Sequence, residues 1–266
     1  MTTERQHRED IVAVGRMMYE KNLVVATDGN ISIRMAEDRL LATPSGVSKG
    51  HMKPEDLIVT DSTGKKISGE RNPSSEIRLH LAIYQKRDDV KSVVHGHPPV
   101  ATAFTIAGLS LAQCVIPEVV FTLGSIPTTD YATPTSEEGP KVIQELIEHH
   151  DAIILDRHGA VTAGKDVFDA YRKIEKVEHC AEVTLAARQL GQVKTLTPDE
   201  IRRLMDVREQ LSLGGKATLA CSNCGACGKP YEPQEGSSAT GSKPNTDEDK
   251  IVELVLREVQ KALGKS

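Results

Sequence analysis

Ser92-Val93-Val94-His95-Gly96-His97-Pro98 reads as a β-strand that ends on two histidines. The β-branched run favours extended backbone, and a side-chain period of two puts His95 and His97 on one face. Two imidazoles side by side make half of a tetrahedral zinc site. Gly96 leaves the opposite face bare, and Pro98 cannot donate to a ladder, so the strand ends here. A strand end suits an open metal. On these residues alone the alternative is a pair of exposed histidines closing a surface strand.

The 266 residues, 38% of them hydrophobic, are enough for one sizeable α/β domain with residues to spare. Trp is absent and aromatics make up 3%, so the core is aliphatic. A formal charge of -5 with scattered Lys and Arg gives no electrostatic footprint for nucleic acid, and no nucleic-acid partner is expected. The polar start, Met1 to Asp10, and the lack of any long apolar run imply a cytoplasmic protein that does not enter a membrane. Five cysteines, three of them between Cys221 and Cys227, do not suggest a disulfide framework.

Outward from the strand, helical spacing of Ile11, Val14, Met17 and Met18 predicts an amphipathic helix over residues 4–21. Asp28-Gly29-Asn30 is a turn signal before the alternating strand Ile31-Ser32-Ile33-Arg34, and residues 39–43 form the next strand, broken by Pro44-Ser45-Gly46. Small donors on such turns can hold a phosphate through backbone N–H groups and hydroxyls, although a plain hairpin turn is the simpler reading of each alone. Leu57 to Thr60 is a strand. Ser74 and Ser75 then cap a helix whose first turn carries Glu76, an arrangement that also suits a phosphate at the helix N-terminus. Near a metal, Glu76 is a candidate general base; otherwise it is an ordinary first-turn glutamate.

Past the histidine strand, helices are predicted over residues 100–106 and 136–150. The buried strand Ala152 to Leu155 runs to Arg157-His158-Gly159, which puts His158 at a second strand exit and makes it the candidate third ligand. His7, His51, His80, His149, His150 and His179 lack such a setting and read as structural or solvated. Long helices follow over residues 167–190 and from Thr197 to about Leu213. Residues 214–246 are rich in Gly, Ser, Pro and Lys and read as a flexible linker; residues 247–266 carry Ile251, Val252, Val255, Leu256, Val259 and Leu263 on one helical face. Cys221, Cys224 and Cys227 have the spacing of three cluster or zinc ligands, but Tyr231 stands where a fourth cysteine is expected, so unliganded thiols are the main alternative.

In their order, Gly29 to Arg34, Thr43-Pro44-Ser45-Gly46, Pro73-Ser74-Ser75-Glu76, Val94-His95-Gly96-His97, Tyr131-Ala132-Thr133 and Arg157-His158-Gly159 resemble the class II aldolase/adducin-like family, in particular its L-fuculose-phosphate aldolase branch. The resemblance spans residues 4–213, within a first domain taken as 1–213. It implies a three-layer α/β/α fold around a mostly antiparallel central sheet, and a homotetramer with active sites at subunit contacts. It also implies a zinc ion on His95, His97 and His158, Glu76 as acid/base, and a phosphate pocket of Asn30, Ser45, Gly46, Ser74 and Ser75. The implied reaction cleaves L-fuculose 1-phosphate, or the similar L-rhamnulose 1-phosphate, to dihydroxyacetone phosphate and L-lactaldehyde. Zinc would act there as the Lewis acid.

A glutamate at position 76 resembles the aldolases of the family, whereas its ribulose-phosphate 4-epimerases carry aspartate. A tyrosine that family aldolases hold near the end of the catalytic domain is matched here by Leu211, and Glu118 has no assigned role. The linker and terminal helix resemble the encapsulation peptides that direct enzymes into bacterial microcompartments, by contact with shell or cargo proteins. An oligomer-stabilising tail is the other reading of that segment. Competing functions are a phosphosugar epimerase or dehydratase on the same scaffold, and a non-catalytic adducin-like module.

Overall fold

A computed structural model describes residues 3–136 and 138–211. Helix α1 (Glu4–Glu20) starts on Thr3, whose hydroxyl accepts the Gln6 N–H, and buries Ile11, Val14 and Met18. Strands β1 (Asn30–Ala36), β2 (Arg39–Ala42), β3 (Ile58–Thr60) and β4 (Lys66–Ser68) follow, then α2 (Ile77–Lys86) and β5 (Ser92–Gly96). Next come α3 (Pro99–Ile106), α4 (Pro117–Leu123), α5 (Glu138–Ile147), β6 (Ala152–Leu155), β7 (Gly159–Gly164), α6 (Val167–Leu190) and α7 (Pro198–Gln210). The predicted linker, terminal helix and Cys221 to Cys227 lie outside the described residues.

Among the described residues the seven strands form one sheet in the order β4-β3-β2-β1-β5-β7-β6, with antiparallel pairing throughout. Alternation divides the core in two. Val94, Ile154 and Ala160 point to the side holding Ile11, Met18, Phe104 and Ile174 of α1, α3 and α6. Val93, Ile153 and Val161 point to Ile83 and Tyr84 of α2 and to Ile143 and Ile147 of α5. The result is the α/β/α layering expected from the sequence. Strand β5, next to the central β1, is buried along its whole length.

Three elements were not anticipated. Strand β4 is a short, exposed edge without an apolar pattern, and β7 (Gly-Ala-Val-Thr-Ala-Gly) carries small residues because neighbouring backbone presses on both of its ends. Helix α4 is held against α7 by Arg208, which donates to the carbonyls of Phe121 and Thr122. The helix expected over residues 136–150 is confined to α5.

A buried charge cluster fixes where β6 begins. Asp151 accepts from Arg87 (2.8 Å) and Lys173 (2.9 Å); Arg87 also binds the Ile147 carbonyl and Lys173 the Ala163 carbonyl. Burial opposes ionisation of Asp151, but Lys173 and Arg87 outweigh it and hold the carboxyl below its usual range. The stabilisation is therefore complete above the unfolded pKa of about 4 and is lost as pH falls through the lower folded value. Asp151→Asn is expected to cost about 1.5–3 kcal/mol at pH 7, because Arg87 and Lys173 lose the buried carboxylate they share and keep Asp89 and Asp169 as acidic partners. Urea unfolding should show the gap to wild type narrowing below pH ~4; a gap independent of pH would contradict this account.

Candidate metal and active site

Asn30 of β1 and His95 of β5 stand directly opposite each other in the antiparallel register, so the Asp28-Gly29-Asn30 turn and the histidine strand meet at one end of the sheet. His97 lies one residue past β5, and its N–H donates to the Leu23 carbonyl (2.7 Å). That contact explains Gly96. A Cβ there would sit 2.8 Å from the Leu23 oxygen and 2.9 Å from the Met18 methyl. His158 occupies the three-residue β6–β7 connection, which Arg157 turns with a φ of 55°. A Cβ on Gly159 would collide with the Gly96 carbonyl and the His97 ring, so the close approach anticipated at this glycine is what brings the two histidine segments together.

The three imidazoles form a nearly equilateral triangle, with centroid separations of 4.9, 5.0 and 5.0 Å. Glu76 closes it from α2: its Oε1 is 3.1 Å from His158 Nε2, and its Oε2 is 3.4 Å from His95 Nε2. One ligand atom from each of the four residues falls within 4.8 Å of all the others. His95 Nδ1 donates to the Ala160 carbonyl (2.9 Å), which turns Nε2 into the cluster. His97 Nε2 is 3.2 Å from it. Two nitrogens bound at ~2.0–2.1 Å to a tetrahedral zinc lie about 3.3 Å apart, so the donor set fits a divalent cation of that size.

Glu76 is the N-cap of α2 rather than a first-turn residue, and its own N–H is accepted by Ser74 Oγ (3.3 Å). Burial disfavours its charge, but His95 and His158 outweigh that cost and hold the carboxyl below its ordinary range. Burial, with His95 and His158 alongside, pushes the His97 pKa down to about 3.

The structure brings the two expected phosphate turns together. Pro44 and Pro73 form an isolated antiparallel bridge, and the Ser45 N–H donates to the Asn72 carbonyl (2.9 Å). Ser45, Gly46 and Ser75 are exposed and Ser74 is half-buried. Beneath them Lys49 is buried, donating to the carbonyls of Thr27 (2.7 Å) and Val47 (2.9 Å), and burial brings its pKa down to about 8. Asn30 is engaged elsewhere: its amide nitrogen donates to Glu76 Oε2 (2.9 Å) and its oxygen faces His80 Nε2 (2.5 Å). Beside the carboxylate, Ser75, Thr129, Thr133 and His158 line a recess of ≈ 30 Å³. Leu211, at the position of the expected tyrosine, caps α7 and is exposed.

Sequence reasoning passed over Lys49 and His80. The available signal for His80 was spacing. His80 and Tyr84 sit at i and i+4 on the buried face of α2, opposite the inward alternation of Asn30 and Ser32. Two polar residues at helical spacing within an otherwise apolar face need buried partners.

These features are those of an aldolase-type lyase scaffold with a His/Glu cluster that could hold a metal ion. Residues 9–185 match the family described as Class II Aldolase and Adducin N-terminal domain, and the chain belongs to that family. It is 36% identical over 181 residues to an L-fuculose phosphate aldolase of Methanococcus maripaludis, covering 68% of this chain and 97% of that one. It is 33% identical over 202 residues to a 5-deoxy-D-ribulose 1-phosphate aldolase of Bacillus thuringiensis, covering 75% and 94%. A 3-oxo-tetronate 4-phosphate decarboxylase of Haemophilus influenzae is 32% identical over 209 residues, covering 76% and 97%. A solved L-fuculose 1-phosphate aldolase superposes with a TM-score of 0.70 at 27% identity, covering 76% of this chain and 96% of that one.

Metal-stripped protein is expected to take up one zinc ion per chain in competition with a chromophoric chelator. His97→Ala should weaken binding by at least the 10- to 100-fold that loss of an outer-shell partner typically brings. Unchanged affinity in the variant would remove His97 from the ligand set.

Proposed function

We propose that the protein is a zinc-dependent aldolase that cleaves a deoxyketose 1-phosphate, L-fuculose 1-phosphate or the similar L-rhamnulose 1-phosphate, to dihydroxyacetone phosphate and L-lactaldehyde. The observation that carries this reading is the meeting of three imidazoles and one carboxylate on a class II aldolase framework. The names of two relatives add the substrate class, since both denote aldolases of deoxy sugars phosphorylated on a ketose. His95, His97 and His158 hold the ion, which supplies Lewis acidity toward the carbonyl oxygen. The Ser45-Gly46 and Ser74-Ser75 turns receive the phosphate through N–H and hydroxyl donors, assisted by the second amide proton of Asn30 and by the charge of Lys49. Glu76, held ionised, exchanges a proton with the substrate carbon next to the carbonyl.

A second reading is decarboxylation of a 3-oxo acid phosphate on the same groups, favoured by the decarboxylase relative. The active form is proposed as a homotetramer, with the exposed Tyr131 and Leu211 available at subunit contacts. Residues 247–266 are proposed to direct the enzyme into a bacterial microcompartment, supported by their amphipathic pattern behind a linker.

In a coupled assay for dihydroxyacetone phosphate, zinc-loaded protein sedimenting as four chains should turn over L-fuculose 1-phosphate. EDTA should abolish turnover, and Glu76→Gln should lower kcat by about 10²- to 10⁴-fold, the usual worth of a general acid/base. Carbon dioxide from 3-oxo-tetronate 4-phosphate, with no dihydroxyacetone phosphate from either ketose phosphate, would replace the aldolase by the decarboxylase. A fluorescent protein carrying residues 214–266 should collect in foci in cells that build microcompartment shells. Diffuse fluorescence there would leave the segment as an oligomer-stabilising tail.

A further inference from the structure

Behind Glu76 a file of polar side chains runs through the interior between β1 and α2. Asn30 is 4% exposed, Ser32 0%, His80 1% and Tyr84 6%. Asn30 Nδ2 donates to Glu76 Oε2 at 2.9 Å, and Asn30 Oδ1 lies 2.5 Å from His80 Nε2. His80 Nδ1 is 2.7 Å from Ser32 Oγ, which is 2.8 Å from the Tyr84 hydroxyl.

The protons along this file can be assigned by elimination. Asn30 turns its amide nitrogen to Glu76 and its oxygen to His80. That oxygen requires a proton on His80 Nε2. Burial pushes the His80 pKa down to about 3, so the ring is neutral and Nδ1 is an acceptor. Ser32 therefore donates to Nδ1, and its oxygen accepts from the Tyr84 hydroxyl, whose proton is shared with the Ser32 carbonyl at 3.1 Å. Every donor points the same way, toward Oε2, and hydrogen bonds in such a series polarise one another.

We propose that His80 is a positioning residue for the acid/base carboxylate: with Ser32 and Asn30 it fixes Oε2 of Glu76, so that Oε1 is the oxygen presented for proton exchange. The proposal rests on the acid/base role given to Glu76 above. It assigns one amide proton and the carbonyl of Asn30 to the carboxylate rather than to the substrate phosphate. His80 itself touches neither substrate nor metal. Its contribution is orientation, which acts on the chemical step and not on binding.

The test uses full-length, zinc-loaded protein with His80→Leu, His80→Gln and Ser32→Ala. Leucine fills the space without either hydrogen bond, whereas glutamine offers a donor and an acceptor. His80→Leu should lower kcat by about 10- to 100-fold, the range seen when a residue that orients a functional group is removed, with KM and bound zinc unchanged. His80→Gln should restore most of that loss, and a crystal structure of His80→Leu should show the Glu76 carboxylate turned away from Asn30. If His80→Leu fails to fold, Ser32→Ala carries the test, with a fall in kcat of about fivefold for one lost hydrogen bond. An unchanged kcat, or a raised KM at constant kcat, would overturn the proposal and return Asn30 to the phosphate. If no ketose phosphate is cleaved by any form, the aldolase reading fails. The crystal structure then decides the positioning claim alone, and an undisturbed Glu76 in His80→Leu overturns it.

Discussion

The site depends on the antiparallel register that sets Asn30 of β1 opposite His95 of β5. Because side chains alternate along a strand, this pairing settles which face each neighbour occupies: Asn30, Ser32, Val93 and His95 on the α2 side, Ile31, Ile33 and Val94 on the other. A slip of one residue would turn His95 into the aliphatic core and bring Val94 to the His/Glu cluster. Backbone contacts hold the register. The Leu23 carbonyl lies against Gly96 from one side and β7 lies against it from the other, with Gly159 leaving room. The geometry of the His/Glu cluster is thus a consequence of main-chain packing, and side-chain choice only completes it.

The same alternation makes the interior between β1 and α2 polar, which an aliphatic protein of this size tolerates only if each group is satisfied. Asn30, Ser32, His80 and Tyr84 satisfy one another, and Ser92 closes the end of the file by donating to the Ser32 carbonyl at 2.7 Å. A Leu or Val at these places would pack as well. Polar groups there have a use that apolar ones lack, since they end on a carboxylate whose direction matters.

Much of this was legible in the sequence because it is local. The period-two pattern of Val93 to His97, the Gly191 that ends α6, and the Thr197/Glu200 capping box of α7 are short-range signals with a direct physical cause. His158 was legible as a strand exit, since the apolar run before it ends at Arg157-His158-Gly159. What stayed hidden was long-range. His80 meets Asn30 and Ser32 across about fifty residues; its spacing with Tyr84 marks it as buried, but not which groups it meets. The change of Glu76 from first turn to N-cap is small in sequence and large in effect. At the cap its carboxylate leaves the helix axis and reaches the histidines.

Aldol cleavage and decarboxylation of a 3-oxo acid leave the same kind of enolate, so three histidines and a metal do not distinguish them. Proton accounting does. Cleavage of a carbon–carbon bond beside a hydroxyl requires that the hydroxyl lose its proton, and the carbon left behind later gains one; an acceptor is needed before a donor. Decarboxylation releases no proton at the bond-breaking step and needs only a donor afterwards. Glu76 is the carboxylate of the cluster, and a directed series of hydrogen bonds ends on one of its oxygens. A proton taken from the hydroxyl before the bond breaks is therefore the step that separates the two reactions on this scaffold.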